Sequence, residues 1–206
     1  MKYGCIGEHL GHSFSKEIHN ALADYEYAIR EIPKDELANF ARSRDFLGIN
    51  VTIPYKELIM PHLDEIDEAA RKIGAVNTVV NRGGKLYGYN TDFYGMTALV
   101  KHAGIDALGK KVAILGSGGT SKTAEAVFAS LGAKTIIRVS RTKSADTVTY
   151  DELYSKHSDT EIIMNTTPLG MFPNTESSPV ALDGFENLCG VLDAVYNPLK
   201  TKLIKD

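Results

Sequence analysis

The chain has 206 residues, of which 43% are hydrophobic and 24% charged, a composition that excludes a disordered polypeptide. Its 23 basic and 26 acidic side chains give a net charge of −3, which argues against general attraction to nucleic acid or to an anionic membrane surface. No apolar run reaches the roughly 20 residues of a transmembrane helix, and the N-terminus lacks the apolar segment of a signal peptide. Two cysteines, Cys5 and Cys189, are too few for a disulfide framework or a thiolate metal cluster. We therefore expect a reduced, cytoplasmic globular protein without a metal ion.

The first half of the chain alternates between strand-like and helix-like segments. The strands are predicted at 2–7, 27–32 and 48–53, and the helices at 15–25 and 34–44. The segment that begins at Asp64 is acidic in its first turn and ends at Gly74, as in a capped helix. Two further strand-like segments, 75–81 and 85–90, flank Arg82-Gly83-Gly84, which predicts a β-hairpin.

From about Asp92 onwards the pattern is typical of a nucleotide-binding sheet. Helices are predicted at 91–104 and 120–132, and strands at 110–116, 135–140, 161–166 and 190–196. The continuous apolar run at 110–116 indicates a parallel strand covered on both faces. This alternation implies right-handed crossovers and a doubly wound α/β sheet. We predict two α/β domains, 1–100 and 101–206.

The last eight residues, 199–206, resemble an amphipathic helix with no cap or breaker after it. A last strand followed by so little chain would lack a cover. We therefore expect the chain to be a shortened form of a longer protein.

A glycine-rich loop, Gly116-Ser117-Gly118-Gly119-Thr120-Ser121, lies between the apolar strand and the next helix. Gly116 would make the tight turn and Gly118 would let a pyrophosphate approach the backbone, while the helix N-terminus offers N–H groups and a positive dipole end. Ser121 replaces the usual third glycine and is still small. Ordinary strand–helix turns share this composition, but the order strand, loop, helix favours a cofactor site.

The end of the following strand selects the cofactor. An NAD site places Asp or Glu about 20 residues beyond the loop, whereas no acidic residue lies between Leu131 and Asp146. Ser140-Arg141-Thr142-Lys143 stand there instead, and two cations with two hydroxyls suit a 2′-phosphate. A solvated basic turn is the alternative, and we favour NADP(H).

A redox enzyme that interconverts an alcohol and a ketone must move a proton as well as a hydride. The candidates for proton transfer are His12, Lys56 and Asp92. Lys56 and Asp92 both follow strand-like segments, where open α/β sheets place functional side chains. Alternatively, Lys56 is a solvated lysine and Asp92 a helix cap. His12 belongs to no metal-ligand spacing and is interpreted as an ordinary structural or surface residue.

Hydroxyl and amide side chains add a possible ligand site. Ser13 and Ser15 alternate around Phe14, so in an extended segment both hydroxyls would face a polyhydroxylated or carboxylated ligand. Ser15 would equally serve as a helix cap. Asn77 and Thr78 lie in an apolar strand, where they need a ligand or a neighbouring backbone as partner.

Eight motifs, in order along nearly the whole chain, resemble those of the shikimate dehydrogenase family. They are Gly11-His12-Ser13-Phe14-Ser15 with Ile18-His19-Asn20, 50–56 (NVTIPYK), 74–78 (GAVNT), 88–92 (GYNTD), 116–121, 140–142 (SRT), 165–171 (NTTPLGM) and 193–198 (DAVYNP). The resemblance implies an N-terminal α/β substrate domain and a C-terminal Rossmann-like, doubly wound NADP-binding domain, with the site in the cleft between them. It also implies NADPH-dependent reduction of 3-dehydroshikimate to shikimate, a step towards chorismate and the aromatic amino acids.

The resemblance further implies a role for individual residues. Lys56 would be the catalytic acid–base group and Asp92 its partner. Substrate would contact Ser13, Ser15, Thr52, Asn77 and Tyr196. NADP(H) would contact the loop 116–121, then Ser140, Arg141, Thr142 and Lys143, and finally Thr166 and Ala194.

Three departures from the family pattern leave alternatives open. Lys16 replaces a usual proline, Ser140 replaces a usual asparagine, and family members continue beyond Asp206 into a segment that supplies a glycine near the nicotinamide and a glutamine to the substrate. The alternatives are a shortened relative that binds shikimate or NADP(H) without turnover, and a dehydrogenase that also accepts quinate. We expect a monomer or a homodimer.

Overall fold

The fold is that of a computed structural model, which describes residues 1–10 and 13–206. His12, one of the candidates for proton transfer, lies outside the described residues. The chain divides into two compact units, Met1–Asp92 and Phe93–Asp206.

The first unit contains one mixed six-stranded sheet in the order β2-β1-β3-β5-β6-β4. Its elements are β1 (Tyr3–Gly7), α1 (Ser15–Leu22), β2 (Tyr27–Glu31), α2 (Leu37–Ser43), β3 (Gly48–Val51), α3 (Tyr55–Leu58), β4 (Glu65–Ile66), α4 (Glu68–Ile73), β5 (Thr78–Arg82) and β6 (Lys85–Tyr89). Strand β1 is parallel to β2 and β3, whereas β5 is antiparallel to β3 and β6. The predicted hairpin is confirmed as β5–β6. Gly83 and Gly84 have φ of 61° and 88°, which tight hairpin turns favour.

Strand β3 shows why the two faces of this sheet differ. Ile49 and Val51 are buried in the main apolar core of the unit. Side chains alternate along a strand, so Asn50 between them projects to the other face. There Cys5 and Tyr27 belong to a second, smaller buried cluster. A polar side chain is therefore placed beside a buried tyrosine.

The helix predicted to begin at Asp64 begins later, so that prediction is wrong at its N-terminal end. The residues after Asp64 form β4, which pairs with β6, and the helix starts after Asp67. The Asp67 carboxylate accepts hydrogen bonds from the backbone N–H groups of Ala69 and Ala70. Asp64 instead accepts from the backbone of Leu86 at 2.7 Å. Pairing with a neighbouring strand thus overrides the local helix signal.

The second unit is built on four parallel strands in the order β10-β9-β7-β8. Its elements are α5 (Asp92–His102, which begins at the unit boundary), β7 (Lys111–Leu115), α6 (Gly119–Ser130), β8 (Thr135–Val139), α7 (Tyr150–Lys156), β9 (Ile162–Asn165), β10 (Gly190–Asp193) and α8 (Lys202–Lys205). Alternate residues of β7 are buried in two clusters: Val112 and Ile114 in one, Ala113 and Leu115 in the other. This confirms the strand covered on both faces and the doubly wound α/β class.

Two helices of this unit differ from the sequence prediction. Helix α7 was not predicted, although Thr149 and Glu152 form a capping box at its start, a recognisable signature. The last strand does not lack a cover, because α8 follows β10 and its Leu203 is buried with the residues on one face of the sheet. The amphipathic pattern near the C-terminus therefore marks a short packed helix.

The described residues contain neither a membrane-spanning helix nor a cluster of metal-ligating side chains. No helix in the described part of the chain has the length and apolar character that crossing a bilayer requires. Within residues 1–10 and 13–206, no group of three or more His, Cys, Asp or Glu side chains is arranged to hold a metal ion.

The start of α4 provides a first test. Asp67→Ala should lower the free energy of unfolding by about 1 kcal/mol, because two N–H groups in the first turn lose their acceptor. Chemical denaturation followed by circular dichroism measures the change. Asp24→Ala, at an exposed turn, is the matched control and should change it by less than about 0.5 kcal/mol. Equal losses in the two variants would show that Asp67 is no cap.

Candidate active site

Lys56 is presented by the short helix α3, which follows β3 after a three-residue turn. The neighbouring Tyr55 is fully buried, and its phenol donates a hydrogen bond to the carbonyl of Ile32. The carbonyl of Lys56 accepts the N–H of Val76 at 2.8 Å. With its backbone held in this way, Lys56 places Nζ 2.6 Å from Oδ2 of Asp92. The structure thus brings together the two residues predicted to form the acid–base pair.

Asp92 is the first residue of α5, where the positive end of the helix dipole favours a carboxylate. Each of its oxygens has a donor: Oδ2 accepts from Lys56 at 2.6 Å and Oδ1 accepts from Nδ2 of Asn77 at 2.8 Å. The Lys56 side chain is 13% exposed and that of Asp92 30%. The pair is therefore oriented by its surroundings and still within reach of a ligand.

Asn77 is held so that its amide nitrogen faces Asp92. The backbone N–H of Thr91 donates to Oδ1 of Asn77 at 2.8 Å, which identifies the oxygen end of the amide. Nδ2 is left to donate to the hydroxyl of Thr91 at 2.9 Å and to Asp92. The backbone of Asn77 also bonds to Val51 and to Tyr89. Both its main chain and its side chain are thus fixed.

A row of hydrogen bonds continues from Asn77 across the sheet. Thr78 lies directly opposite Asn50 in the pairing of β5 with β3. Nδ2 of Asn50 donates to the hydroxyl of Thr78 at 3.3 Å, and that hydroxyl donates to Oδ1 of Asn77 at 3.1 Å. The phenol of Tyr27 donates to Oδ1 of Asn50 at 2.6 Å. These bonds connect a buried tyrosine to the Asp92 carboxylate.

Ser13 and Ser15 form a separate pair of hydroxyl side chains. The hydroxyl of Ser13 donates to that of Ser15 at 3.0 Å and accepts from the backbone N–H of Ser15 at 3.3 Å. The extended conformation predicted here is wrong, because Phe14 has φ −79° and ψ 3° and occupies the cap position of α1. Ser15 is the first helical residue and therefore not the cap. The two hydroxyls meet because a turn brings them together.

We call the five connected residues the polar row. They are Tyr27, Asn50, Thr78, Asn77 and Asp92. Thr52, another predicted substrate contact, lies in the turn between β3 and α3. Its N–H donates to the carbonyl of Ile6 and its carbonyl accepts from Tyr55.

Three residues of this site were not predicted from the sequence. They are Tyr27, Asn50 and Thr91. A signal existed for Asn50, which is the one polar side chain in the GINV strand and so needs a partner when that strand is paired on both sides. Tyr27 reads as an ordinary core aromatic, and nothing in its local sequence indicates that its hydroxyl bonds to Asn50.

In the second unit, the predicted cofactor residues follow the carboxyl ends of parallel strands. Such ends share one edge of a sheet, and a ligand binds where the strand order reverses. In this sheet the order reverses at β7, which has β8 on one side and β9 on the other. Gly116 follows β7, Ser140 follows β8, Thr166 follows β9, and Ala194 and the 54%-exposed Tyr196 follow β10.

The loop after β7 has the space that a dinucleotide needs. Gly116 has a φ of 122°, and a Cβ there would lie 2.6 Å from Oγ1 of Thr166, so the position requires glycine. A Cβ on Gly118 would meet nothing within 4 Å. Ser121 is fully buried, and its hydroxyl donates to the carbonyl of Gly116 at 2.8 Å. The loop is thus folded tightly on one side and open beside the N-terminus of α6, which fits a pyrophosphate.

The basic turn after β8 is exposed, but one of its cations already has a partner. Nζ of Lys143 lies 2.5 Å from Oε1 of Glu152. Hydrogen bonds from Lys143, then Lys156, then the backbone of Thr149 lower the pKa of Glu152 to about 2. Arg141 is also exposed. Lys143 would have to leave or share Glu152 in order to contact a phosphate.

Comparison with known proteins identifies the family. Residues 5–79 match the model of the shikimate dehydrogenase substrate binding domain. The shikimate dehydrogenase (NADP(+)) of Clostridium perfringens is 41% identical, over 98% of this chain and 81% of that protein. The chain belongs to the shikimate dehydrogenase family.

Solved structures of the family agree with the fold. Shikimate dehydrogenase 1 from Peptoclostridium difficile is 37% identical with a TM-score of 0.90, covering 100% of this chain and 82% of that one. The enzyme from Thermus thermophilus, solved in complex with NADP(H) and shikimate, is 26% identical with a TM-score of 0.85 over 100% and 82% of the two chains. The predicted fold class, a substrate domain with a Rossmann-like NADP-binding domain, is confirmed for the family.

Gly116 and Gly118 of the loop should respond differently to a methyl group. Gly116→Ala should lower the free energy of unfolding by about 2 kcal/mol, because its backbone conformation is strained for alanine and the methyl meets Thr166. Gly118→Ala should change it by less than about 0.5 kcal/mol, because the space is open. Thermal and chemical denaturation measure both. A larger loss in Gly118→Ala than in Gly116→Ala would contradict this geometry.

Proposed function

We propose that the protein is a shikimate dehydrogenase, which reduces 3-dehydroshikimate to shikimate with NADPH and catalyses the reverse oxidation with NADP+. The observation that supports this best is the 2.6 Å ion pair between Lys56 and Asp92, held by Asn77 in a chain of this family. A proton-transfer group with one defined position is what alcohol–ketone chemistry requires of the protein.

Lys56 moves the proton. In the direction of reduction its ammonium donates a proton to the oxygen of the substrate carbonyl, and in the direction of oxidation the neutral amine takes the proton of the hydroxyl. Asp92 keeps Nζ in place. Asn77 keeps the carboxylate from rotating away, because it donates to the oxygen that Lys56 does not use.

The substrate is bound by the first unit, with Tyr196 of the second as a further proposed contact. Ser13 and Ser15 donate hydroxyl hydrogen bonds to the substrate carboxylate, and Thr52 and Asn77 bind its ring hydroxyls. The meeting of the two serine hydroxyls at 3.0 Å supports the first assignment, because a carboxylate accepts two donors at such a spacing.

NADP(H) is assigned to the second unit. The loop 116–121 holds the pyrophosphate beside Gly118. The 2′-phosphate and the adenine are held by Ser140, Arg141, Thr142 and Lys143. The rest of the dinucleotide lies along Thr166 and Ala194. When bound, the dinucleotide supplies the hydride.

We further propose that the protein is cytoplasmic and is a monomer or a homodimer. Light scattering distinguishes the monomer from the homodimer.

Lys56→Ala tests the proton-transfer role. We expect kcat for shikimate oxidation, followed by the absorbance of NADPH, to fall by about 10²–10⁴-fold, while calorimetry still detects shikimate binding. Lys72→Ala, an exposed lysine on α4, is the matched control and should turn over at the unsubstituted rate. Equal rates in the two variants would remove Lys56 from the chemistry.

The same assay separates the alternative functions. If the unsubstituted protein binds shikimate and NADP+ without turnover, the protein is a binding relative of the enzymes. If it oxidises quinate faster than shikimate, the substrate assignment is wrong while the proton-transfer role remains.

Arg141→Ala tests the cofactor assignment. The Kd for NADP+ should rise roughly tenfold or more, with little change for NAD+, because only NADP+ has the 2′-phosphate. Lys143→Ala should have a smaller effect, since Lys143 is paired with Glu152. Titration calorimetry with both cofactors provides the values. Equal weakening of both would place Arg141 at the adenine or in the fold.

A further inference from the structure

Glu152 has two sets of partners at the start of α7. Its Oε2 accepts the backbone N–H of Thr149 at 3.2 Å, which completes the capping box. Its Oε1 accepts hydrogen bonds from two ammonium groups, those of Lys143 at 2.5 Å and of Lys156 at 3.0 Å. The Glu152 side chain is only 17% exposed. One carboxylate therefore begins a helix and also holds a cation of the basic turn, 140–143.

The backbone on both sides of Lys143 is held, so a change of partner requires only its side chain to move. The hydroxyl of Thr147 accepts the N–H of Ser144 at 3.0 Å and donates to the carbonyl of Thr142 at 3.3 Å. The Lys143 side chain itself is 62% exposed, and exposed side chains change rotamer within nanoseconds. The ammonium can thus turn from Glu152 to an anion beside the same turn.

Glu152 keeps a counter-ion when Lys143 leaves it. Lys156 lies one turn further along α7 and bonds to the same oxygen, so the carboxylate is not left with an unpaired charge. The bond to Lys143 is weak despite its short length, because water competes for so exposed an ammonium. A 2′-phosphate offers several charged oxygens and can draw that ammonium away. Glu152 opposes the move, since its own bond to Lys143 has to be given up.

We propose that Glu152 is a specificity-determining residue for the cofactor: it competes with the 2′-phosphate for Lys143 and thereby lowers the preference of the protein for NADP+ over NAD+. The proposal rests on the proposed function, because it takes the basic turn 140–143 as the 2′-phosphate site. Glu152 acts through Lys143 and contacts no reacting atom.

Glu152→Gln tests the proposal. Glutamine also completes a capping box, so the start of the helix is kept while the charge that holds Lys143 is removed. We expect the Kd for NADP+ to fall about fivefold, the upper end of what an exposed ion pair contributes, and the Kd for NAD+ to change less than about twofold. Titration calorimetry with both cofactors measures the values and requires no turnover. Circular dichroism verifies the fold.

Glu161→Gln is the matched control in the same unit. Glu161 likewise offers one oxygen to an ammonium, that of Lys110 at 2.8 Å, and the other to a backbone N–H, that of Lys111 at 3.0 Å. It directly precedes β9 and so lies at the amino ends of the parallel strands, whereas cofactors bind at the carboxyl ends. The same substitution there should leave the Kd of both cofactors unchanged.

A double variant tests the route through Lys143. If Glu152 acts by holding that lysine, Glu152→Gln should bring no gain in NADP+ affinity in a protein that already carries Lys143→Ala. Direct repulsion between the Glu152 carboxylate and the phosphate would instead give the same gain in both backgrounds.

The outcomes separate this role from the function on which it rests. An unchanged Kd for NADP+ in Glu152→Gln, an equal gain for NAD+, or a gain that persists with Lys143→Ala would overturn the role of Glu152 and leave the dehydrogenase assignment intact. If Arg141→Ala and Lys143→Ala both bind NADP+ as the unsubstituted protein does, the 2′-phosphate site itself is wrong, and the role of Glu152 is wrong with it.

Discussion

The carboxylate of Asp92 is the acceptor on which the arrangement of the first unit depends. Exposed lysine–aspartate pairs contribute little to stability, since water competes for both charges and the side chains lose conformational freedom. Here the carboxylate lies in the first turn of α5 and each oxygen has a separate donor, Lys56 on one and Asn77 on the other. The ammonium consequently has one defined position. Proton transfer depends on such a position more than on the strength of the ion pair.

The mixed sheet produces this position from residues far apart in the chain. Lys56 and Asp92 are separated by 36 residues, and they meet because β3, β5 and β6 are neighbours. The bond from Val76 to the carbonyl of Lys56 ties α3 to the start of β5. The same pairing places Asn50 opposite Thr78, so a strand register that buries apolar residues on one face aligns polar ones on the other. Packing and site geometry are thus two consequences of one register.

The second unit forms its candidate site by a different physical route. There the backbone is the main ligand surface, and glycines determine its shape: Gly116 lets the loop pass Thr166 closely, while Gly118 leaves the N-terminus of α6 accessible. Side-chain charge enters at the end of β8, where Lys143 is shared with the capping residue of α7. A carboxylate that competes with phosphate for this lysine leaves Arg141 as the better candidate for recognising the 2′-phosphate.

The sequence by itself determined the features that depend on local chemistry. The apolar run at 110–116, the glycine pair of the hairpin and the loop between strand and helix are encoded by period, turn residues and order, and they define the two α/β units. Only the tertiary structure decided the start of α4, where pairing of β4 with β6 displaces the helix from Asp64 to Asp67, and the turn that brings Ser13 and Ser15 together. It also decided the place of Tyr27 in the site. The reason is that a side chain's hydrogen-bond partner is set by which strands are adjacent and in what register, and neither is a property of the local sequence.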